Sequence, residues 1–348
     1  MTERILITGA TGFLGSAVAR IFAGAGYRLR LMVRAESSTE NLAGLDAETV
    51  VADLSRPGTL AEAVDGCDGL VHVAADYRLF VPDPGPMYRA NVDGTAALMR
   101  AARKAGVGRI VYTSSVAVLG HRADGAPADE TTPSRLEDMI GHYKRSKFLA
   151  EAEVRRQVEQ EGLPAVIVNP SAPVGPRDVR PTPTGRMVLD AARGRMPAYL
   201  DTGLNIVHVD DAAAGHLAAY RNGRTGERYI LGGDNLALRE ILTQIARLMG
   251  RRPPLIRLSP GPLLPVAWAA ETWARMTGTR PFFTRDELAM ARYVMYFDSR
   301  KAERELGYKH RPATEAFIDA LKWFGEYRGL SLPDEGIHCN SSHPNHQA

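Results

Sequence analysis

The feature that most constrains the fold is a glycine-rich turn near the start of the chain, placed between a strand pattern and a helix pattern. The apolar run "RILIT" (Arg4–Thr8) precedes the turn, and the helical pattern "FLGSAVARIF" follows it. Gly9 would let the chain leave the strand sharply, Gly12 would let a pyrophosphate approach the helix N-terminus, and Gly15 would let the helix pack close to the sheet. The three glycines are more widely spaced than in the common fingerprint G-x-G-x-x-G. Because they stand between a strand and a helix, they still predict a dinucleotide-binding turn.

Short apolar segments alternate with helical ones through the first 170 residues. Beyond Arg4–Thr8, five further strands are expected, at Arg28–Val33, Thr49–Ala52, Gly69–Ala75, Arg109–Ser115 and Ala165–Pro170. Helices are expected between them, at Gly15–Ala25, Gly58–Val64, Met87–Ala105 and His142–Gln160. Several of the strands are apolar without alternation, which is typical of a parallel sheet covered on both faces. The pattern predicts an α/β fold with a doubly wound parallel (Rossmann) sheet.

The composition of the sequence changes near Pro170, because the segment "NPSAPVGPRDVRPTPTG" is rich in Pro and Gly. The predicted elements after this segment are shorter than those before it. We expect residues 1–170 to form the dinucleotide-binding domain, with further strands returning to it from the C-terminal half. Residues 171–330 are expected to form mainly a smaller substrate-binding cap. Residues 331–348 are polar and lack periodicity, and we expect a disordered tail.

Composition excludes several classes of protein. The chain has 348 residues, of which 45% are hydrophobic and 24% charged, as in an ordinary globular protein, and a net charge of +3 without a basic run argues against nucleic acid as a partner. Two cysteines without metal-ligand spacing indicate a reducing compartment. The N-terminus lacks the layout of a signal peptide and no apolar run has the length of a membrane span, so we expect a cytoplasmic protein.

No metal site is expected, because a flexible tail cannot hold a closed set of zinc ligands with the supporting contacts that such a site needs. The tail residues considered as ligands are His338, Cys339, His343 and His346.

The ends of the second and third strands bear on cofactor choice. In NAD-binding sheets an acidic residue at the end of the second strand bonds the adenosine ribose, but here Val33 stands at that place and Arg34 follows it. A guanidinium suits the 2′-phosphate of NADP, which favours NADP over NAD, while Glu36 nearby keeps NAD open. Asp53, followed by Leu54, leaves the third strand where a carboxylate could accept a bond from adenine; the alternative is a turn-forming aspartate.

A candidate catalytic set follows the fifth strand. Tyr143 and Lys147 in "HYKRSK" are four residues apart on a predicted helix and would share a face. A nearby ammonium lowers the pKa of a phenol, which could then exchange a proton with an alcohol or carbonyl oxygen. Ser115, in "YTSS", would lie at the carboxyl end of its strand, where ligands bind in such sheets. Asn91, in "ANVDGT", lies on the predicted helix Met87–Ala105.

The combination of "TGATGFLG", "ADL", "HVAA", "ANVDGT", "YTSS", "YKRSK" and "NPS" resembles the extended short-chain dehydrogenase/reductase superfamily, over roughly the first 180 residues. The resemblance implies that Ser115 orients the substrate oxygen and that Tyr143 is the acid/base. It implies that Lys147 holds the nicotinamide ribose and depresses the pKa of Tyr143, and that Asn91 supports the helix and a water relay. It also implies cofactor contacts beyond the three glycines, Arg34 and Asp53, at Thr11, Phe13, Leu14, Leu54, Ala74, Ala75, Tyr143, Lys147, Pro170 and Ser171.

A narrower likeness runs from residue 1 to about residue 330. The segments "HVAADYRLFVPDPGPMYRANVDGT", "NPSAPVGPRDVRPTPTGRMV", "MPAYLDTGLNIVHVDDAAAGHL" and "FDSRKAERELGY" look like the hopanoid-associated sugar epimerases, a family similar to dihydroflavonol reductases. This likeness implies hydride transfer on a sugar-like substrate in hopanoid (lipid) side-chain biosynthesis. The alternatives are an NADPH-dependent carbonyl reductase of the dihydroflavonol-reductase type and a non-catalytic NADP-binding scaffold. The presence of both Tyr143 and Lys147 argues against the scaffold.

The residues that contact the substrate are harder to predict from the sequence than those that contact the cofactor. Besides Ser115, four residues in or near loops are expected to face the substrate: Tyr77, Arg78, Arg177 and His208. His208 could equally be a satisfied histidine at a strand end. The apolar segment Pro253–Met276 carries Trp268 and Trp273 and could be a core-facing helix of the cap, a wall for a lipid-linked substrate, or a surface that rests on a membrane. A peripheral membrane contact and a homodimer therefore stay open.

Overall fold

The computed structural model describes residues 2–277, 279, 281, 284–333 and 337. Its strands are β1 (Arg4–Thr8), β2 (Arg28–Val33), β3 (Glu48–Val51), β4 (Gly69–His72), β5 (Arg109–Thr113), β6 (Ala165–Pro170), β7 (Ala172–Val174), β8 (Ala198–Leu200), β9 (Gly203–His208), β10 (Arg228–Leu231), β11 (Asp234–Ala237), β12 (Ile256–Leu258) and β13 (Val294–Met295). Its α-helices are α1 (Phe13–Gly24), α2 (Leu60–Val64), α3 (Gly85–Tyr88), α4 (Thr95–Lys104), α5 (Gly141–Glu161), α6 (Pro183–Ala192), α7 (Val209–Asn222), α8 (Leu238–Leu248), α9 (Pro260–Thr277), α10 (Arg285–Met290), α11 (Arg300–Leu306) and α12 (Ala313–Arg328). A π-helical segment joins α3 to α4, and short 3₁₀ turns complete the chain: Arg89–Gly94 (π), Glu40–Leu42, Pro57–Thr59, Val116–Val118 and Leu136–Asp138.

The main sheet has seven strands in the order β10-β6-β5-β4-β1-β2-β3, and every neighbouring pair is parallel. The chain builds outward from β1 through β2 to β3, then crosses back to β4 and builds the other side. Ligands bind outside the carboxyl ends of the strands at such a reversal, which here lies between β1 and β4. The predicted α/β fold with a doubly wound parallel sheet is confirmed.

Both faces of this sheet are covered, which explains why its strands are apolar without alternation. Ile5 and Ile7 point into one core with Phe22 of α1 and Val209 of α7. Leu6, between them, points into the opposite core with residues of α4 and α5. Each such fully buried aliphatic side chain stabilises the fold by about 1.5–3 kcal/mol relative to an exposed one.

The C-terminal half contributes to both layers of the molecule. β10 pairs with β6 at the edge of the main sheet, and α7 packs against α1. A second sheet is centred on β9, which pairs antiparallel with β11 and parallel with β7 and β13. A separate core beneath it is formed by α6, α8 and α12. Among the described residues no helix is long and apolar enough to cross a membrane. The predicted disorder of the tail falls almost wholly on residues outside the described ones.

Two predicted element ends differ from the structure for identifiable reasons. β4 ends at His72 rather than Ala75, because the backbone N–H groups of Val73 and Ala74 donate to the Thr8 hydroxyl instead of a neighbouring strand (3.2 and 3.1 Å). The long helix predicted over Met87–Ala105 is interrupted by the six-residue π-helical segment, which carries Asn91. Single-turn π segments inside helices are frequent at functional sites.

Candidate active site

The glycine turn forms a cradle with no room for side chains. Gly9 has a φ of +72°, and a Cβ there would lie 2.7 Å from the Ala74 nitrogen. A Cβ on Gly15 would lie 2.1 Å from the Gly9 carbonyl oxygen. Gly12 is the N-cap residue of α1 and has no side chain that could accept a bond from the first backbone N–H groups of the helix. These amides therefore stay available to an anion. These residues fit the pyrophosphate of a dinucleotide.

A buried histidine, His72, holds the strands beside the glycine turn together. His72 Nδ1 lies 2.7 Å from the Thr8 hydroxyl, and its Nε2 lies 2.9 Å from the Thr95 hydroxyl. Burial, together with the positive charge of Lys147, lowers the pKa of His72 to about 3, so the ring is neutral. It ties β1 to β4 and α4, and thereby positions Ala74, which follows β4. Sequence reasoning quoted this residue only as part of "HVAA" and gave it no role.

Two candidate adenosine contacts lie close together at the ends of β2 and β3. Arg34 is exposed directly after β2, and its positive charge acts on Asp53. Partial burial would raise the pKa of Asp53, but hydrogen bonds from the Ser55 amide and hydroxyl and the charges of Arg34 and Arg56 lower it overall. Both Ser55 bonds reach the same oxygen, Oδ1, at 2.8 Å, so Asp53 does shape its own turn. Leu54 is buried behind it.

Ser115 and Tyr143 meet at the carboxyl end of β5. Ser115 lies two residues after the strand and caps the following 3₁₀ turn by accepting a bond from the Ala117 amide (3.1 Å). Its hydroxyl lies near that of Tyr143. Burial raises the pKa of Tyr143, and the nearby Ser115 hydroxyl only partly opposes this.

The expected lowering of the Tyr143 pKa by Lys147 is therefore corrected. The Lys147 ammonium donates to the Thr113 carbonyl oxygen (2.7 Å) and to the Tyr112 hydroxyl (3.1 Å), both on β5. Burial lowers the pKa of Lys147 to about 8, against the raising effect of Glu151. The strand, rather than Tyr143, is the partner of Lys147.

Asn91 braces the catalytic helix from the π-helical segment. Its Oδ1 accepts from the Asp76 amide (2.7 Å), and its Nδ2 donates to the Asp76 carbonyl (2.9 Å) and to the Ser146 hydroxyl (3.0 Å). Ser146 in turn donates to the Tyr143 carbonyl oxygen (2.8 Å). Asn91 thus fixes the loop after β4 relative to the turn of α5 that carries Tyr143.

Two buried hydroxyls at neighbouring strand ends lack partners among the described residues. They are Ser114 Oγ, after β5, and Ser171 Oγ, after β6. Their backbone amides are satisfied by Val168 and Leu231. Pro170, the last residue of β6, is buried beside them. Unpaired buried hydroxyls are costly unless a ligand or water meets them, so these two mark the ligand side of the sheet.

Tyr77 and Arg78 lie on the loop after β4. Tyr77 is 43% exposed. The Arg78 guanidinium holds the Asp76 carboxylate with bonds of 2.9 and 2.5 Å, and its side chain is largely exposed. These bonds and the charge of Arg34 lower the pKa of Asp76, although its burial acts in the opposite direction. Both side chains are therefore exposed on this loop rather than buried against the sheet.

Arg177 lies beside the glycine turn rather than deep in a substrate pocket. Its guanidinium lies 2.5 Å from Asp210 Oδ1, and its φ is +74°. The Asn41 amide donates both to the Arg177 carbonyl and to the Thr11 carbonyl, each at 3.3 Å. This network joins Arg177 to the cofactor side of the site.

The predicted substrate contact of His208 needs correction. Its side chain is fully buried, Nδ1 accepts the Asp210 amide as the N-cap of α7 (3.1 Å), and Nε2 lies 3.1 Å from Asp319 Oδ2. Arg311 contacts the same ring at 3.0 Å. With both nitrogens engaged by protein, His208 is a structural residue.

Sequence reasoning missed two polar residues next to the catalytic set. Lys144 is 6% exposed and makes no hydrogen bond to any described residue, and burial lowers its pKa to about 8. His121 lies six residues after Ser115, its buried Nδ1 has no partner among the described residues, and its ring stacks on Tyr293 at 5.5 Å. Burial and the charge of Lys144 lower the pKa of His121 to about 4. The sequence signal that could have identified Lys144 was its position, because it is the first lysine of "YKRSK" and directly follows Tyr143, the candidate acid/base.

No cluster of three or more metal-ligating side chains occurs in the described part of the chain. The tail residues considered as ligands lie outside it. Cys67, the one described cysteine, is a buried free thiol whose pKa is raised by burial.

Comparison with known proteins agrees with this geometry. The sequence model of the "NAD dependent epimerase/dehydratase family" matches residues 5–232. A protein of Synechocystis provisionally named dihydroflavonol 4-reductase is 43% identical over 93% of this chain and 95% of its own length. Sterol demethylase protein B of Methylococcus capsulatus is 34% identical over 93% of this chain and 99% of its own. The crystal structure of gox2253 superposes with a TM-score of 0.85 at 55% identity, covering 94% of this chain and 99% of that one.

The seven-strand parallel sheet, the glycine cradle at its reversal point and the family match lead to one assignment. The chain belongs to the NAD-dependent epimerase/dehydratase family of extended short-chain dehydrogenases/reductases and is an NAD(P)-dependent enzyme of that type.

Proposed function

We propose that this enzyme is an NADP-linked oxidoreductase that acts at a carbonyl or secondary alcohol and runs in the direction of reduction. The observation that carries the proposal is that the hydroxyls of Ser115, after β5, and Tyr143, on α5, lie near each other at the carboxyl end of the sheet, the end that also carries the glycine cradle. A bound nicotinamide would supply the hydride. The protein has to bind the substrate oxygen, orient it and provide the proton.

Ser115 and Tyr143 would hold the substrate oxygen between their hydroxyls. Because burial raises the pKa of Tyr143, its phenol stays protonated at neutral pH and is a proton donor to an oxygen that gains negative charge. In the reverse direction the same group, once deprotonated, would accept the proton of an alcohol. The preference for reduction therefore rests on Arg34, which favours NADPH as the cofactor.

The cofactor would lie along the carboxyl ends of β1 to β6. Arg34 is exposed where the 2′-phosphate of NADP would reach the protein, which supports NADP over NAD. Lys147, fixed by two bonds to β5, would hold the nicotinamide ribose. The remaining proposed contacts are Gly9, Thr11, Gly12, Phe13, Leu14, Gly15, Asp53, Leu54, Ala74, Ala75, Pro170 and Ser171.

The proposed substrate is lipid-linked and offers an acceptor oxygen beside the reacting carbon. Lys144 and the unpaired His121 nitrogen would contact that oxygen, and Tyr77 and Arg78 would line the rim. The Methylococcus relative is named for a sterol, and the resemblance to hopanoid-associated sugar epimerases suggests a sugar-like group on a hopanoid as the first substrate to test.

Epimerisation is the second candidate, because the family carries that name. An epimerase returns the hydride to the same substrate, so it shows no net change of cofactor. The deciding assay incubates the purified enzyme with NADPH, NADP, NADH or NAD and a panel of carbonyl lipids and sugar-linked hopanoids. Stoichiometric loss of NADPH supports the proposal, whereas inversion at one carbon without cofactor change supports epimerisation.

Tyr143→Phe is the matched variant for this assay, since it removes only the hydroxyl that carries the proton. It should abolish turnover in either direction while leaving NADPH binding in place. Tight NADPH binding by the wild type without turnover of any substrate would instead favour the scaffold.

A further inference from the structure

One segment, residues 251–277, holds most of the exposed large hydrophobic side chains of the described residues. Of eleven large hydrophobic side chains exposed in the described residues, seven lie within residues 251–277. They are Leu255, Ile256, Leu258, Val266, Trp268, Trp273 and Met276. Leu255 and Met276 are 79% and 78% exposed, and Trp268 and Trp273 are 59% and 65% exposed. The expectation of a core-facing helix is therefore wrong for both tryptophans.

Helix α9 has its apolar side turned outward. Its buried residues, Ala267, Glu271 and Ala274, follow the i, i+4, i+7 spacing of one helical face. On that inner face Glu271 accepts bonds from the backbone and side chain of Arg285 at the start of α10 (2.6 and 2.9 Å). The outward face presents Trp268 and Trp273 with prolines and small residues. A helix with a polar inner contact and an apolar outer face is not a normal solvated surface helix.

The charge of the same segment has one sign at the surface. Arg251, Arg252, Arg257 and Arg275 are exposed, and the segment's only acidic residue, Glu271, is buried in its bond to Arg285. Of the four arginines, Arg257 forms an exposed ion pair with Asp201. Exposed tryptophan and leucine combined with surface arginine is the composition of interfacial, membrane-resting segments.

The patch continues into a cavity that combines the same two properties. A cavity of about 390 Å³ opens beside β12. Its lining joins the apolar residues Met196, Leu242, Leu255 and Ile256 to Arg251 and Arg252. Such a lining fits the edge of a lipid layer, where acyl chains and charged headgroups adjoin.

The apolar face also lies close to the catalytic helix. Glu271 fixes α9 to α10, and Asp286 of α10 reaches the start of α5, where a Cβ on Gly141 would lie 2.8 Å from its carboxylate. Gly141 is two residues before Tyr143. One layer formed by α9 and α10 therefore separates the outward apolar face from the candidate site.

We propose that residues 251–277 dock this enzyme onto the surface of a bilayer that contains anionic lipid. The tryptophans and Leu255 enter the headgroup region, and the arginines contact the lipid phosphates. Docking does not require the reaction assigned above. It would give a lipid-linked substrate a short path from the bilayer to Tyr143.

The test is co-sedimentation of the purified full chain with vesicles of phosphatidylcholine alone or mixed with phosphatidylglycerol. Binding is expected to the mixed vesicles, to weaken as salt is raised, and to be much weaker on phosphatidylcholine alone. Because each arginine near an anionic surface changes binding about fivefold, Arg252→Ala with Arg275→Ala should weaken it by about twenty-five-fold. Trp268→Ser with Trp273→Ser should weaken binding at every salt concentration.

Val51→Ser is the matched control, because Val51 is 64% exposed on β3, outside the patch. It should bind vesicles like the wild type. Circular dichroism and turnover of a water-soluble carbonyl substrate without vesicles should match the wild type for all variants, so a failure of docking is distinguishable from a failure of the proposed reaction.

Two results would overturn the proposal. One is a wild type that does not sediment with mixed vesicles. The other is a dimer in light scattering that the tryptophan double variant dissociates, which would show that a second copy of the chain covers this face.

Discussion

Lys144→Met is the most informative single substitution, because Lys144 is only 6% exposed and makes no hydrogen bond to any described residue. Burial lowers its pKa from 10.5 to about 8. At 1.36 kcal/mol for each pKa unit, this difference corresponds to about 3 kcal/mol of lost stability when the group is charged in the folded state. Methionine has a similar length and no charge, so the variant should be more stable than the wild type at pH 7 by up to about 3 kcal/mol.

The pH dependence gives this prediction its sign. Between the folded pKa near 8 and the unfolded value of 10.5, the unfolded wild type binds more protons than the folded one, so wild-type stability rises with pH. The destabilisation of the folded wild type by the charged Lys144 side chain is fully present below pH 8 and disappears above pH 10.5. The advantage of Lys144→Met should therefore shrink across this interval. Urea unfolding of both proteins at pH 7 and at pH 10.5, followed by circular dichroism, measures it.

Lys147→Met is the matched control on the same helix. Lys147 is as buried as Lys144 and its pKa is also lowered to about 8, but its ammonium donates to Thr113 and Tyr112. Losing hydrogen bonds from a charged donor costs about 1.5–3 kcal/mol each, which should cancel any gain. An equal gain in both variants, or a Lys144→Met advantage that is the same at both pH values, would refute the assignment of Lys144 as an unpaired buried cation. If Lys144 contacts substrate, its variant should also raise the KM for substrate while leaving the KM for NADPH unchanged.

Three further variants test the site. Tyr143→Phe should lower kcat by about 10²–10⁴-fold, as expected for a lost acid, with NADPH fluorescence titration unchanged; substantial residual turnover would remove Tyr143 from the mechanism. Arg34→Ser should weaken NADPH binding by about 10–100-fold and leave NADH binding unchanged, since a charged hydrogen bond is worth about 1.5–3 kcal/mol, and an equal loss for both cofactors would contradict the NADP assignment. Gly15→Ala should lower the thermal midpoint and abolish cofactor binding, because its Cβ would lie 2.1 Å from the Gly9 carbonyl; wild-type cofactor affinity in this variant would show that the cradle is not the binding site.

The parts of the fold set by local pattern were predictable from the sequence. β1 was predicted to the residue, and α1 begins two residues from the prediction, because an apolar run, three glycines and a helical period occur in succession. The end of β4 was wrong, because it depends on Thr8, a residue 64 positions away in the chain. The expected lowering of the Tyr143 pKa is not found in the structure for a similar reason. Spacing places Lys147 near Tyr143 but does not show that β5 engages its ammonium.

Two departures from ordinary packing lie on opposite sides of the layer formed by α9 and α10. Lys144 is a charge buried without a hydrogen-bond partner, and the outward face of α9 is apolar surface left in water. The sequence analysis assigned no role to Lys144 and left the position of the apolar segment open. Because each feature lowers the stability or solubility of the free protein, we propose that a ligand satisfies both of them. We propose that a lipid-linked carbonyl compound connects the two features, since the outward face of α9 would rest on the bilayer that holds its apolar part while its polar oxygens would reach Lys144 and His121. On this proposal the sheet and its glycine cradle hold the cofactor, whereas the elements around α5, α9 and α10 select the substrate that reaches Tyr143.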